Sequence, residues 1–125
     1  MSMLKFTHNH EWLRVEVDGS VTIGITDYAQ SQLGDIVYVE LPELGAHVEA
    51  GSNFVIIESV KAVGEIKFPV GGTVLSVNER LGDTPELINS APQGDGWLLR
   101  IKLDDPSVLD KLLEAAPYAA FVASL

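Results

Sequence analysis

The chain contains no cysteine. Without a thiol it can form no disulfide and offers no sulfur nucleophile of its own, so any sulfur redox chemistry has to arrive on a cofactor. Basic residues are scarce as well: eight Lys and Arg stand against eighteen Asp and Glu, a formal charge of −10. Such a surface repels a phosphate backbone, which argues against nucleic acid as a partner. It suits a soluble protein steered toward basic patches on other proteins. No apolar run approaches the roughly 20 residues needed to span a bilayer, so no membrane partner is expected. Met1-Ser2-Met3-Leu4-Lys5 opens neither a signal core nor an Arg/Ser-rich presequence, and the expected compartment is the cytoplasm, with a matured organellar form as the alternative. Neither a Gly-x-Gly-x-x-Gly nor a Gly-Lys-Ser/Thr loop is present, which leaves nucleotide binding unsupported. His8 and His10 would share a face on a strand, but no further Cys or His follows at metal-like spacing, so no metal site is expected. His47, in a turn-rich stretch, reads as surface. No Ser/His/Asp set or glycosidase-like acid pair stands out, and no catalytic residue is assigned.

What is present is a series of short strands. The 125 residues suit one domain, 1–125, and a chain of this size buries roughly two-thirds of its unfolded surface without a metal or disulfide. Glu11–Val17 alternates, Asp18-Gly19-Ser20 signals a turn, and Val21–Ile25 returns as the partner strand. Thr26 or Asp27 caps a short helix through Leu33, and Gly34 ends it. Ile36–Leu41 is a strand ended by Pro42. Thr73–Val77 and Trp97–Leu103 are further strands, and Thr84-Pro85-Glu86 marks a helical turn. Asp105-Pro106 opens a helix carrying Leu109, Leu112 and Leu113 that stops before Pro117, with a last short helical segment at Tyr118, Phe121 and Val122. Trp12 and Trp97 read as core or cleft-wall aromatics. Many short strands with Gly and Pro punctuation predict two packed antiparallel sheets or a small barrel.

The centre of this pattern is Glu58-Ser59-Val60-Lys61-Ala62. Phe54–Ile57 before it and Glu65–Phe68 after it read as the arms of a β-hairpin stopped by Pro69, with Lys61 near the tip in solvent. Taken alone, such a lysine is ordinarily a solvated residue that guards a strand edge.

Glu58-Ser59-Val60-Lys61-Ala62 resembles the lipoyl-attachment segment of the H-protein family of the glycine cleavage system. His10-Glu11-Trp12, Gly24–Gln30, Leu33–Val37, Val39–Pro42, Val77-Asn78, Glu86–Ser90 and Gly94–Leu98 resemble the same family in the same order, from about Phe6 to Tyr118. The resemblance implies a mainly β fold, the lipoyl/biotinyl barrel-sandwich hybrid, with C-terminal helices over about 105–125 added to it. It implies lipoic acid in amide linkage to Lys61, with Glu58, Ser59, Val60 and Ala62 recognised by a lipoylating enzyme; Glu58 and Ser59 alternatively only hold the hairpin register. It further implies a cleft in which the loaded arm's amine meets Glu11 and Glu65.

By the same resemblance the chain is a carrier without catalysis of its own. It would take the aminomethyl group of glycine from a pyridoxal-phosphate glycine decarboxylase to an aminomethyltransferase, and dihydrolipoyl dehydrogenase would reoxidise it. The alternatives are an H-like relay that passes lipoate to other carriers and an unmodified interaction domain. Val63-Gly64, Phe68-Pro69 and Gln32 depart from the family pattern without touching the attachment segment.

Overall fold

The computed structural model describes residues 3–67 and 70–125. Its nine strands are β1 (Met3–Phe6), β2 (Glu11–Val15), β3 (Val21–Ile25), β4 (Ile36–Glu40), β5 (His47–Val48), β6 (Asn53–Ser59), β7 (Val63–Lys67), β8 (Gly72–Val77) and β9 (Leu99–Leu103). They form two antiparallel sheets, one of six strands in the order β1-β2-β3-β9-β8-β5 and one of three in the order β4-β6-β7. The mainly β, two-sheet architecture expected from the sequence is therefore what the chain adopts.

The inner faces of the two sheets meet in one core. Val21, Ile23, Leu99 and Ile101 come from the larger sheet and Ile36, Val39, Val55 and Ile57 from the smaller, all buried. The β2–β3 hairpin pairs Val15 with Val21 and Glu11 with Ile25. Glu16 N donates to the Ser20 carbonyl at 2.8 Å, so β2 ends at Val15 rather than Val17. The loop is Val17-Asp18-Gly19, three residues with Gly19 at φ 87, instead of a two-residue Asp-Gly turn. Every residue of β3 is buried, beyond the one face the alternation implies. The reason is Trp12, which lies across the far side of β3. A Cβ added at Gly24 would sit 2.6 Å from the Trp12 indole, whose Nε1 donates to the Pro92 carbonyl at 2.9 Å. Gly24→Ala must displace a fully buried, hydrogen-bonded ring, and we expect a loss of about 2 kcal/mol, read as a lower urea midpoint at unchanged slope.

β4 carries a register irregularity between Ile36 and Tyr38. It breaks the in–out alternation, so Val37 and Tyr38 both face solvent.

The helical segments are α1 (Asp27–Leu33), α2 (Arg80–Asp83), α3 (Leu87–Ser90), a 3-10 turn over Pro106–Lys111 and α4 (Ala115–Ala123). Thr26 caps α1, its Oγ1 accepting from Ala29 N, and Gly34 follows the helix at φ 84. The α3 turn lies just beyond the expected signal, with Leu87 N and Ile88 N donating to the Thr84 and Pro85 carbonyls.

The C-terminal segment differs from expectation. The Asp105-Pro106 opening yields a 3-10 turn rather than an α-helix, and Leu113 then bridges to Phe6 of β1. Pro117 does not stop a helix but sits in the first turn of α4, where its missing N–H would have had no intrahelical acceptor. α4 lays Tyr118 against Phe6, rings stacked at 4.6 Å, over buried Trp12. Burying Phe6 contributes about 2 kcal/mol to holding this segment on the sheet. Phe68 and Pro69 lie outside the described residues.

Candidate functional site

The β6–β7 hairpin narrows to Ser59-Val60-Lys61-Ala62. Glu58 pairs with Val63 across the hairpin and with Tyr38 of β4, so the arms are in register up to the turn. Ser59 closes it: its N donates to the Ala62 carbonyl at 2.8 Å, and its Oγ accepts from Ala62 N at 3.0 Å and donates to the Ala62 carbonyl at 3.1 Å. This is the local side-chain-to-backbone bonding that makes serine a turn residue. Val60 N donates to the Asp35 carbonyl at 3.0 Å, tying the tip to the corner between α1 and β4. Val60 and Val63 flank the tip at 69% and 68% exposure, an apolar surround for a lysine that is itself exposed.

Lys61 has a specific seat. A Cβ added at Gly34 would lie 3.2 Å from Lys61 Cε and 3.6 Å from Cδ, so the methylene stem runs across the glycine that terminates α1. Gly34 thus serves two needs, a positive φ and room for the stem. The amine takes part in none of the ion pairs of the described residues.

Asn89 fixes this corner. Its Oδ1 accepts from Ile36 N at 2.8 Å, while its Nδ2 donates to the Gly34 carbonyl at 2.8 Å and to Gln30 Oε1 at 2.9 Å. Gly64, one of the departures from the family pattern, also has a local cause. A Cβ there would stand 3.2 Å from Leu33 Cδ2, where α1 packs on the hairpin. Asn89→Ala leaves the Gly34 carbonyl and the Ile36 N–H without their partner, and we expect a loss of about 2–3 kcal/mol with faster amide exchange at Ile36.

The other end of α1 meets a second polar cluster. Glu11 is buried at 2% exposure and its Oε1 accepts from Thr7 Oγ1 at 2.8 Å. Burial pushes the Glu11 carboxyl up to about 7, the Thr7 hydroxyl opposing only in part. It is therefore no plain strand-edge carboxylate. His8 and His10 do not share a strand face: they lie in the turn before β2, with His10 at φ 67. They meet instead on Phe121 of α4, with ring centroids 4.8 and 5.8 Å away.

His10 Nδ1 and Tyr118 OH are 2.8 Å apart, and Tyr118 OH is 2.8 Å from Thr26 Oγ1, the α1 cap. Burial, with His8 as a smaller contribution, lowers the His10 pKa. A groove of ≈ 360 Å³ opens beside this cluster along Thr26, Tyr28, Gln93, Tyr118 and Val122. The seven residues of α1 separate the two ends by about 10 Å.

Among the expected residues, Glu58, Ser59, Val60, Lys61 and Ala62 thus form one hairpin turn, and Glu11 lies at the opposite end of α1. Glu65 stands opposite Ile56 in β7, and its side chain lies outside the described residues. Gly34, Asn89, Thr7 and Tyr118 complete the two clusters. Gly34 carried a local signal as a helix terminator, Asn89 lay within the Glu86–Ser90 resemblance and Tyr118 within the expected last helical segment, while Thr7 carried none. His47 is exposed as expected, 2.7 Å from Asp104. Among the described residues no group of three His, Cys, Asp or Glu side chains is placed to hold a metal ion, and no helix is long and apolar enough to cross a membrane.

Two antiparallel sheets with short helices, presenting an exposed lysine on a two-stranded tip, define a domain of the barrel-sandwich class. The sequence model described as Glycine cleavage H-protein matches residues 4–125. The glycine cleavage system H protein of Vibrio vulnificus is 56% identical over 92% of this chain and 91% of its own. That of Parvibaculum lavamentivorans is 52% identical over 100% and 99%. The crystal structure of a glycine cleavage system H protein from Mycobacterium marinum superposes with a TM-score of 0.87 at 35% identity, covering 96% of each chain. The chain belongs to the glycine cleavage H-protein family.

Proposed function

We infer that this protein is the lipoyl carrier of the glycine cleavage system, with lipoic acid in amide linkage to Lys61. The observation that carries the reading is the seat of Lys61. Its stem crosses a residue without a side chain, at the tip of a hairpin whose turn is closed by Ser59 and tied down at Val60. An arm rooted there starts from a rigid support and reaches solvent at once. Neutralising the amine breaks no ion pair of the described residues. The lipoyl group supplies the dithiolane that a cysteine-free chain lacks.

The chain's own residues supply attachment, reach and shelter, and it contributes no catalytic group. Residues 1–125 act as one carrier domain, with the segment after about residue 105 as its helical addition. Val60, Val63 and the half-buried Glu58 are the surface a lipoylating enzyme would read. Glu11, one α1 length from the lysine, is suited to meet a cationic amine carried on the arm, because a charge-assisted hydrogen bond in a dry site is strong. Glu65 is its proposed companion. The partners are glycine decarboxylase, from which the aminomethyl group of glycine is received, the aminomethyltransferase that takes it on, and dihydrolipoyl dehydrogenase. The working compartment is the cytoplasm.

Reconstitution tests this. Lipoylated protein added to purified glycine decarboxylase is expected to give glycine-dependent CO2 release saturable in the carrier, while the unlipoylated form gives background. Equal rates with the two forms would exclude the carrier role.

A further inference from the structure

A groove lies on the six-stranded sheet, whereas the lysine hairpin belongs to the three-stranded one. Cross-strand register puts Arg14 opposite Thr22, Thr22 opposite Arg100, and Arg100 opposite Ser76, a single row over β2, β3, β9 and β8. Residues paired in this way point to the same face, and two strand spacings set the Arg14 and Arg100 backbones about 10 Å apart. The row floors a groove of ≈ 450 Å³ walled by Trp97, with Glu16 at its edge. In a chain with eight cationic side chains and a charge of −10, two guanidiniums facing one groove is an uneven allocation.

Arg14 has its partners. Its Nε donates to Glu16 Oε1 at 2.8 Å, and its guanidinium lies 5.5 Å from the Trp12 ring centroid. Glu16 Oε1 also accepts from Thr22 Oγ1 at 2.8 Å. Asp18, nearby on the turn, is engaged by Ser20 N and Oγ. Arg100 differs: its Nε is buried and has no hydrogen-bond partner among the described residues. A buried N–H of a charged group without an acceptor is costly, and carboxylates match the guanidinium fork.

We propose that this groove is a carboxylate-binding site in which Arg100 supplies the charge-assisted donor, Arg14 the second guanidinium and Trp97 an apolar wall. The Glu16 carboxylate at the groove's edge and Asp18 within Coulombic reach of Arg100 offset the two guanidiniums, so the groove suits a singly charged carboxylate better than a dianion such as phosphate. Ser76 and Thr22 add hydroxyls to the same row, and Trp97 offers contact to an aliphatic body behind the carboxylate. The same chemistry is presented by a free short-chain carboxylate and by a glutamate side chain on a partner protein.

The Arg100 Nε–Hε resonance reads the site directly in the intact protein. It is titrated at constant ionic strength with butyrate, with the peptide acetyl-Ala-Glu-Ala-amide, and with inorganic phosphate. A saturable downfield shift with butyrate or the peptide is expected, with phosphate weaker. Tighter binding of butyrate identifies a free carboxylate as the ligand, and tighter binding of the peptide a partner's side chain. Arg14→Gln, read on the Arg100 resonance, and Arg100→Lys, read on the backbone amides of Thr22 and Ser76 beside it, should each weaken binding at least tenfold while the rest of the backbone spectrum stays native. Glu16→Gln should tighten it severalfold, a change that a merely structural cluster would not produce. A shift no larger than chloride gives, with an Hε proton exchanging rapidly with water, would mean that solvent alone satisfies Arg100 and would overturn the proposal.

Discussion

Lys61→Arg should abolish carrier activity while leaving the fold untouched. Arginine retains the charge and much of the aliphatic stem, but its guanidinium is no substrate for amide formation at physiological pH. Because Lys61 is exposed and its amine enters no ion pair of the described residues, the substitution should change stability by less than about 0.5 kcal/mol. Expressed with a competent lipoylating enzyme, the natural chain should gain one lipoyl group by intact mass and the variant none. Glycine-dependent CO2 release should fall to the unlipoylated background. A mass gain that survives the substitution would move the attachment point to another lysine. A natural chain that never gains the mass would remove the carrier reading altogether.

The second large effect concerns Glu11. In the unfolded chain its carboxyl titrates near its ordinary value of 4.5, and in the folded protein burial moves it up to about 7. Below pH 4.5 it is protonated in both states and its burial carries no ionic penalty. Between 4.5 and 7 the unfolded chain ionises first, so stability falls by up to about 1.4 kcal/mol per pH unit. Above 7 the loss is complete, at roughly 3 kcal/mol. Glu11→Gln keeps the shape and an acceptor for the Thr7 hydroxyl while removing the titration. The variant should match the natural protein at pH 4 and exceed it by up to roughly 3 kcal/mol at pH 8 in urea unfolding. Parallel stability curves across that range would contradict the raised carboxyl. A residue that weakens the resting fold at working pH is what a polar site awaiting a cation would contain, since an arriving amine relieves the penalty.

The sequence made the turns and caps legible because their signals are local. Asp18-Gly19 needs only its own backbone to specify a hairpin, and Thr26 and Gly34 specify both ends of α1 within nine residues of chain. The Lys61 hairpin was equally readable from its flanking β-branched runs. Features that depend on distant partners were not. β1 is a strand because Phe6 pairs with Trp12 and bridges to Leu113, and nothing within Met3–Phe6 announces that. β9 begins at Leu99 rather than Trp97, because Trp97 turns aside to the aromatic cluster under α4. α2 is a single turn containing Gly82, too short for periodicity to register.

The candidate site divides in the same way. Lys61 and its neighbours, like Glu11, were found from the resemblance; the hairpin by itself showed only a solvated lysine near its tip. The burial that perturbs Glu11, and the Asn89 bridge to Gly34 and Ile36 from more than fifty positions away, belong to tertiary structure alone.

The Gly34 seat also bears on how far a tethered group can wander. The outer methylenes of Lys61 pass over a bare backbone, and to the extent that they stay there the pivot of any appended chain moves from Cα toward Nζ. Moving a pivot outward shortens the freely jointed length, and the swept volume shrinks faster than the length does. A cargo confined to that smaller volume is encountered more often by whatever docks at the tip. A side chain at position 34 would lift the stem, enlarge the sweep and dilute the cargo, even with every bond to the lysine intact.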